Sequence, residues 1–398
     1  MHSSSDNYIL TLNCGSSSLK FSLYHHNTLR MEVMGTAKRI GDLTSRLLIV
    51  NHKKELIETK DLVSLNFNAV VKVVIEWLKN NQTIYSIIAI GFRLVMGGPN
   101  RYKPEIITED VLRDLHDYIY LAPNHLPNEL STIQAFKEAF PQIRRIACYD
   151  TAFHHSMPFF SKYYPLPLMY RNQGLIRYGF HGLSYESIMK KLSFRKLDAS
   201  DKKIIITHLG NGASMVAIKN KDIIDTSMGI SPLGGLVMGS RSGDLDPGAI
   251  LFLLKQGHLS VNSLDNLLSK ESGLKALSGI SDMQELIKEA DKNSLAEEAL
   301  TIFCYHVKKF IGAYATAIGG LDLLVFTGGI GENSTLIRER ICSDLDFMGI
   351  MLDKHKNAGH QEIISSENSK VMVCALRTDE ELIIAEHTYA LIDKKDTI

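Results

Sequence analysis

Two stretches of this chain, ILTLNCGSSSLKFSL (residues 9–23) and IIITHLGNGASMVAI (204–218), follow one outline. Each runs from an apolar strand through a small-residue turn holding Asn and Gly, then through Ser into a second strand. Laid side by side, Ser18 falls opposite Ser214 and Leu19 opposite Met215. A hairpin repeated about 200 residues along suggests two similar halves, each opening in the same way. The competing reading is two unrelated hairpins that look alike.

In the first hairpin the strand period of two puts Leu19, Phe21 and Leu23 on one face and Ser18, Lys20 and Ser22 on the other. Turn amides, hydroxyls and the Lys20 ammonium would make an anion nest. A tight hairpin with a solvated lysine explains the same residues. A Walker A loop is excluded, because G-x-x-x-x-G-K-[ST] is absent and a strand follows rather than a helix. The second turn carries Val216 where the first has lysine, and offers His208, Asn211 and the backbone of Gly210 and Gly212. A third cluster, LDLLVFTGGIGENSTLIRERI, reads as strand, glycine loop and helix, an order that presents helix N-terminal amides to an anion.

Short apolar runs alternate with amphipathic stretches. The pattern predicts strands over 8–13, 19–25, 30–36, 86–95, 143–150, 204–209, 214–218, 322–327 and 371–376. It predicts helices over 67–80, 108–118, 128–139, 184–192, 248–256, 295–319, 334–344 and 379–392. The fold class is therefore α/β, mixed sheets covered by helices. The 398 residues suffice for two domains. Lys+Arg and Asp+Glu both number 44, so no charge excess favours nucleic acid or a membrane surface. No apolar run has the length of a membrane span, and "MHSSSDNYIL" lacks the features of a secretion signal. Five scattered cysteines form no C-x-x-C pair and fit a cytoplasmic protein with reduced thiols.

Several charged groups stand in apolar company. Arg93 lies in a strand that is otherwise almost wholly apolar; it reads as a structural ion pair or as a cation kept for a carboxylate or phosphate. Asp150 ends a strand, where ligands of such sheets gather, and could equally cap a turn. Arg241 sits in the Gly/Ser-rich MGSRSGDLDPG, and His181 and His125 in YGFHGLSY and LAPNHLPNE. Asp379, Glu380 and Glu381 open a helix, where acids ordinarily complement the dipole. Neither G-x-S-x-G nor H-E-x-x-H occurs, so a nucleophile-based hydrolase has no foothold.

Taken in order, TLNCGSSSLKFSLY, GFRLVMGG, LAPNHLPN, YDTAFH, YGFHGLS, HLGNGAS, MGSRSGDLDPG, FTGGIGENS and DEELIIA resemble the acetate kinase family, from about Tyr8 to Thr388. The resemblance implies two RNase H-like domains of the actin/Hsp70/sugar-kinase type, with a duplicated core around a central cleft. Residues 1–150 with 378–398 would form the first and 151–377 the second. It implies reversible phosphoryl transfer from ATP to a short-chain carboxylate, with Mg²⁺ (or Mn²⁺), in a cytoplasmic homodimer. Nucleotide contacts would come from Asn13, Ser16, Ser18, Lys20, His208, Leu209, Gly210, Asn211, Gly212, Asp282, Gly329, Ile330, Gly331 and Asn333. Arg93, Asp150, His181 and Arg241 would be catalytic, and Asn13 and Glu380 would serve the metal. Val95, Leu121, His125, Phe180 and Pro232, with Arg93, would surround the acid. Substitution of Arg93 or Arg241 would then cost turnover more than stability.

The chain departs from the family pattern at Phe92 and Met96, where histidine is usual, at Leu126 and Tyr185, and at Gln284, where an arginine is usual. These leave the choice of acid open, butyrate included. A nucleotide switch of the Hsp70 or actin kind is a different class, which would have no need of two carboxylate-binding arginines. A relative that binds nucleotide and turns over poorly is the third alternative.

Overall fold

The computed structural model describes residues 6–15, 17–195 and 200–393. They form two compact units, one from Met1–Phe153 with Asp379–Ile398 and one from His154–Thr378.

The first unit is built on an eight-stranded sheet. Its strands are β1 (Asn7–Cys14), β2 (Ser18–His25), β3 (Met31–Lys38), β4 (Arg46–Asn51), β5 (Leu56–Asp61), β6 (Ser86–Leu94), β7 (Glu105–Ile106) and β8 (Arg144–Tyr149), in the order β5-β4-β3-β2-β1-β6-β8-β7. Neighbours from β1 to β5 pair antiparallel, whereas β1, β6 and β8 run parallel. The helices here are α1 (Phe67–Asn80), α2 (Glu109–Asp117) and α3 (Leu126–Ala139), joined by the C-terminal helix Glu380–Ile392. In α1, Asn66 caps the Ala69 N–H and Val70, Val71, Val74 and Leu78 make one buried stripe.

Both faces of the sheet are covered at β1 and β6, which is why these strands are nearly continuous apolar runs. Phe92 packs edge-on against Phe136 of α3. Its neighbour Gly91 points the other way, against Ile384 and Thr388 of the C-terminal helix. Arg93 shares the face of Gly91, and Asn13 that of Ile9, which packs on Ala385. One strand period thus carries both polar groups toward the start of the C-terminal helix.

The second unit has strands β9 (Lys203–Leu209), β10 (Ala213–Lys219), β11 (Asp222–Thr226), β12 (Leu323–Thr327) and β13 (Met372–Ala375), ordered β11-β10-β9-β12-β13. The run β3-β2-β1-β6-β8 of the first unit has the same order and the same senses, so the core is duplicated. The 25-residue helix Ser294–Ile318 backs β9, β10 and β11.

The residue-level match between the hairpins differs from the one read off the sequence. Cys14 pairs with Leu19, so the first turn holds four residues, 15–18; Leu209 pairs with Ala213, so the second holds three, 210–212. Asn13 therefore stands opposite Lys20 and His208 opposite Ser214. Ser214, and not Val216, occupies the position of Lys20. The segment read as a glycine loop is itself helical over Gly328–Asn333, and Thr335–Cys342 forms a second helix. Gly328 takes φ +76° with Leu209 backbone atoms where a Cβ would be, so the chain turns straight from strand into helix. Strands β4, β5, β7 and β11 escaped the sequence reading. All of Leu56–Asp61 is exposed, so β5 carries no burial alternation to read.

Candidate active site

In the first unit, β1, β2, β6, the end of β8 and the C-terminal helix bring five expected residues together. Arg93 donates from Nη2 at 2.6 Å and Nε at 3.2 Å to Asp150 Oδ2, and from Nη1 at 3.0 Å to Asn13 Oδ1. Asn13 Nδ2 donates to Glu380 Oε2 at 3.0 Å and to Glu381 Oε1 at 3.3 Å. Glu381 pairs with Lys20 at 3.5 Å. Burial alone would pull the Arg93 pKa down, but Asp150 and Glu380 outweigh it and the shift is upward. Glu381 likewise raises Lys20.

Asp379 caps the C-terminal helix through the Leu382 N–H, and this places Glu380 and Glu381 over Asn13. The first-turn acids therefore meet side chains as well as the helix dipole. Glu381 was not singled out from sequence, where it looked like an ordinary first-turn acid. Asp150 Oδ1 is buried and accepts no hydrogen bond from the described residues. Such an oxygen normally has a partner, so a bound group is the natural one here.

Ser18 lies across the first turn, where its Oγ would be 2.6 Å from a Cβ at Gly15 and its carbonyl accepts the Gly15 N–H at 2.8 Å. Ser16 lies outside the described residues. Val95 and Leu121 are buried, and His125 stands at the N-terminus of α3.

In the second unit, His181 adopts a left-handed backbone (φ 58°) at the start of the helix Gly182–Phe194. Its Nδ1 meets Ser214 Oγ at 2.8 Å, and Tyr185 also hydrogen-bonds Ser214. His208 Nδ1 meets Ser184 Oγ at 2.8 Å, and the two imidazoles stack 4.4 Å apart. A Cβ at Gly212 would lie 3.5 Å from both His181 Nε2 and Arg241 Nη1, so both groups flank the bare turn. Arg241 Nη1 also donates to the Pro232 carbonyl at 3.1 Å. The Arg241 loop is tied to the turn by Gly239 N–H on the Asn211 carbonyl, 3.1 Å. Ser184, Tyr185 and Ser214 went unpredicted; the one-residue difference in turn length hid Ser214.

The other expected residues divide by element. Leu209 is buried at the end of β9, and the Gly210 N–H donates to the Gly212 carbonyl at 3.0 Å across the turn. Gly329, Ile330, Gly331 and Asn333 form the first turn after β12, with Asn333 bonded back to the Gly329 carbonyl. Glu332, another residue not foreseen, accepts from Gly328 N–H and Thr378 N–H and fixes that turn. Asp282 caps its own helix through the Gln284 and Glu285 amides, and Phe180 is buried and accepts from His154 Nε2. The departures Phe92, Met96, Leu126 and Tyr185 are all buried.

Among the described residues no group of three or more His, Cys, Asp or Glu side chains could hold a metal alone. Two carboxylates do suit Mg²⁺, which keeps most of its shell for water and phosphate oxygens. Asp150 Oδ1 and Glu380 meet that description. Asn13, the other residue expected to serve the metal, turns its oxygen to Arg93 and its amide to Glu380 and Glu381.

Two hairpin-and-parallel-strand units with cations at their turns define a phosphotransferase-type α/β protein of the actin, Hsp70 and sugar-kinase class. The acetokinase family model matches residues 8–386. The chain is 42% identical over 401 residues to an acetate kinase of Clostridium novyi, covering 98% of this chain and 99% of that one. It is 40% identical over 399 residues to an acetate kinase of Phocaeicola vulgatus, covering 97% and 100%. Among solved structures, a propionate kinase from Francisella tularensis superposes with TM-score 0.89 at 37% identity, covering 96% and 99%. The Porphyromonas gingivalis acetate kinase does so at 0.85, also 37% identical, covering 97% and 100%. This chain belongs to the acetokinase family.

Proposed function

We propose that this chain transfers the γ-phosphoryl group of ATP to the carboxylate of a short acid, acetate or propionate, giving the acyl phosphate and ADP, and catalyses the reverse. The relatives it resembles carry those two activities in their names. The observation that carries the reading is Arg93: a permanently charged group beside a buried carboxylate that keeps one oxygen without a partner.

The chemistry asks little of a base. The acid arrives as a carboxylate, one of its oxygens bonds to the γ-phosphorus, and the bond from that phosphorus to the β-phosphate oxygen breaks as ADP leaves. The difficulty is holding anions together and spreading charge, which preorganised cations do best. Arg93 takes the carboxylate. Arg241 and His181, fixed by Pro232 and Ser214, hold the migrating phosphoryl group, while Lys20 and the turn amides take ATP phosphates. Mg²⁺ would sit on Asp150 and Glu380 and neutralise phosphate charge. No helix among the described residues could cross a membrane. A cytoplasmic homodimer is our further reading. In the second unit Phe159, Phe160, Leu168 and Met169 lie exposed on one short segment, and these are candidates for the dimer contact.

The test is ADP release from Mg-ATP without acceptor, then with acetate, propionate and butyrate, with hydroxylamine trapping the acyl phosphate. Acid-dependent turnover with trapped product is expected, and the ranking of kcat/KM names the acid. Slow release indifferent to every acid would leave a nucleotide switch or a poorly active relative in its place.

A further inference from the structure

Glu129 takes no part in the proposed reaction, yet it is among the most buried carboxyl groups of the described residues, at 2% exposure. It lies in the first turn of α3, and both its oxygens accept the single N–H of Val95, at 3.2 and 3.1 Å. Val95 follows directly on the strand that carries Arg93, two residues back. The carboxyl is thus attached to the end of β6 that is assigned to the acid.

On its own helix Glu129 follows the N-cap residue His125 by one turn. Arg93 on β6 attracts its ionised form and Asp150, just past β8, repels it. On β1, Cys14 faces the same region and bonds to Thr132 of α3. The buried stripes of α1 and α2, which pack on α3, carry no titratable group. Arg93 already answers Asp150 and Glu380. An ionised Glu129 is a third anion around one guanidinium, and a substrate carboxylate would be a fourth.

We propose that Glu129 is a positioning residue for the acid, gripping the Val95 N–H and setting by its own charge how strongly the Arg93 end of β6 attracts a carboxylate. The proposal rests on the reading of Arg93 as the group that holds the acid. Protonated, Glu129 leaves room for one more anion; ionised, it competes with the incoming acid. Burial pushes its pKa up to about 8, more than Arg93 and the Val95 amide pull it down, so the change falls within the working range.

The experiment compares wild type, Glu129→Gln and Glu129→Leu. With only the protonated form binding well, the wild-type KM for acetate rises about tenfold between pH 7 and pH 9, while the KM for Mg-ATP does not follow it. Glu129→Gln keeps an acceptor for Val95 and loses the charge, so its acetate KM stays flat over that range. Glu129→Leu loses the grip, so amide exchange over residues 93–97 speeds up and kcat falls. Equal pH slopes in wild type and Glu129→Gln would overturn the charge role. Unchanged exchange in Glu129→Leu would overturn the grip, and that readout needs no turnover. Absence of acid-dependent turnover in the wild type removes the carboxylate reading, and the charge role with it, while exchange still decides the grip.

Discussion

Arg93 places two of its nitrogens on one oxygen of Asp150 and a third on Asn13, so one guanidinium is shared between a fully buried carboxylate and the amide that orients Glu380. Asp150 is 0% exposed. This alters what substitution of Arg93 should do. From sequence, loss of the arginine would cost turnover more than stability. With Asp150 buried against it, Arg93→Ala leaves an uncompensated charge, which costs about 3–5 kcal/mol. Arg93→Ala should therefore shift urea unfolding well to the left as well as abolishing turnover. Arg93→Ala combined with Asp150→Asn should recover much of the stability and none of the turnover. A single Arg93→Ala variant as stable as wild type would mean the ion pair contributes nothing.

The second unit gives the opposite case. A Cβ at Gly212 would meet Arg241 Nη1 and His181 at 3.5 Å, an ordinary contact. Gly212→Ala should leave unfolding within about 0.5 kcal/mol of wild type. The added methyl occupies the space where Arg241 and His181 approach the turn, so kcat/KM should fall about 100-fold, as expected when positioning is disturbed by about an ångström. Paired unfolding curves and steady-state rates decide this. Unchanged rates would mean that the turn does not approach the phosphoryl group.

Much of this was legible in the sequence, for identifiable reasons. The duplicated hairpins, the apolar runs of β1, β6, β9 and β12 and the capped helices all follow from local periodicity. Arg93 and Asp150 stood out because charge is rare in such runs. Glu129, Glu381 and Ser214 did not stand out. Glu129 and Glu381 sit in first helical turns, where acids are common, and their roles come from partners about 34 and 361 residues away in the chain. Ser214 was misplaced by the one-residue difference between turns, which only the strand register shows.

The C-terminal helix holds Glu380 and Glu381 over Asn13, and Gly91 lets it lie close to β6. A Cβ at Gly91 would come within 2.2 Å of Thr388 Oγ1 and 2.6 Å of Ile384 Cγ2, with the Ile384 carbonyl at 3.3 Å. The helix backbone must then move, and overpacking of this kind costs about 1–3 kcal/mol. Gly91→Ala should lower Tm and raise the KM for ATP, because the lifted helix carries away the partner of Lys20. Thr388→Ala in the same background removes the nearest obstruction and should restore part of both. A Gly91→Ala protein with wild-type Tm would show that the helix is not seated as closely as described.

His154 supplies a pH dependence of known sign. It is 0% exposed, its Nε2 donates to the Phe180 carbonyl at 3.0 Å, and it packs edge-on to Tyr185. Burial lowers its pKa to about 4, more than the Phe180 bond raises it. The folded protein therefore keeps the ring neutral where the unfolded chain, with a value near 6.5, already binds a proton. Its contribution is complete above about pH 6.5 and is lost as pH falls toward 4, at up to about 1.4 kcal/mol per pH unit. His154→Gln keeps a donor for the Phe180 carbonyl and removes the titration. Urea unfolding at pH 7.5, 6 and 5 should show wild type losing more stability on acidification than His154→Gln, with the two curves converging toward pH 5. Parallel losses would mean that the ring is protonated in the folded state at these pH values. That would place a positive charge against the Phe180 carbonyl, where the proposed reaction has no use for it.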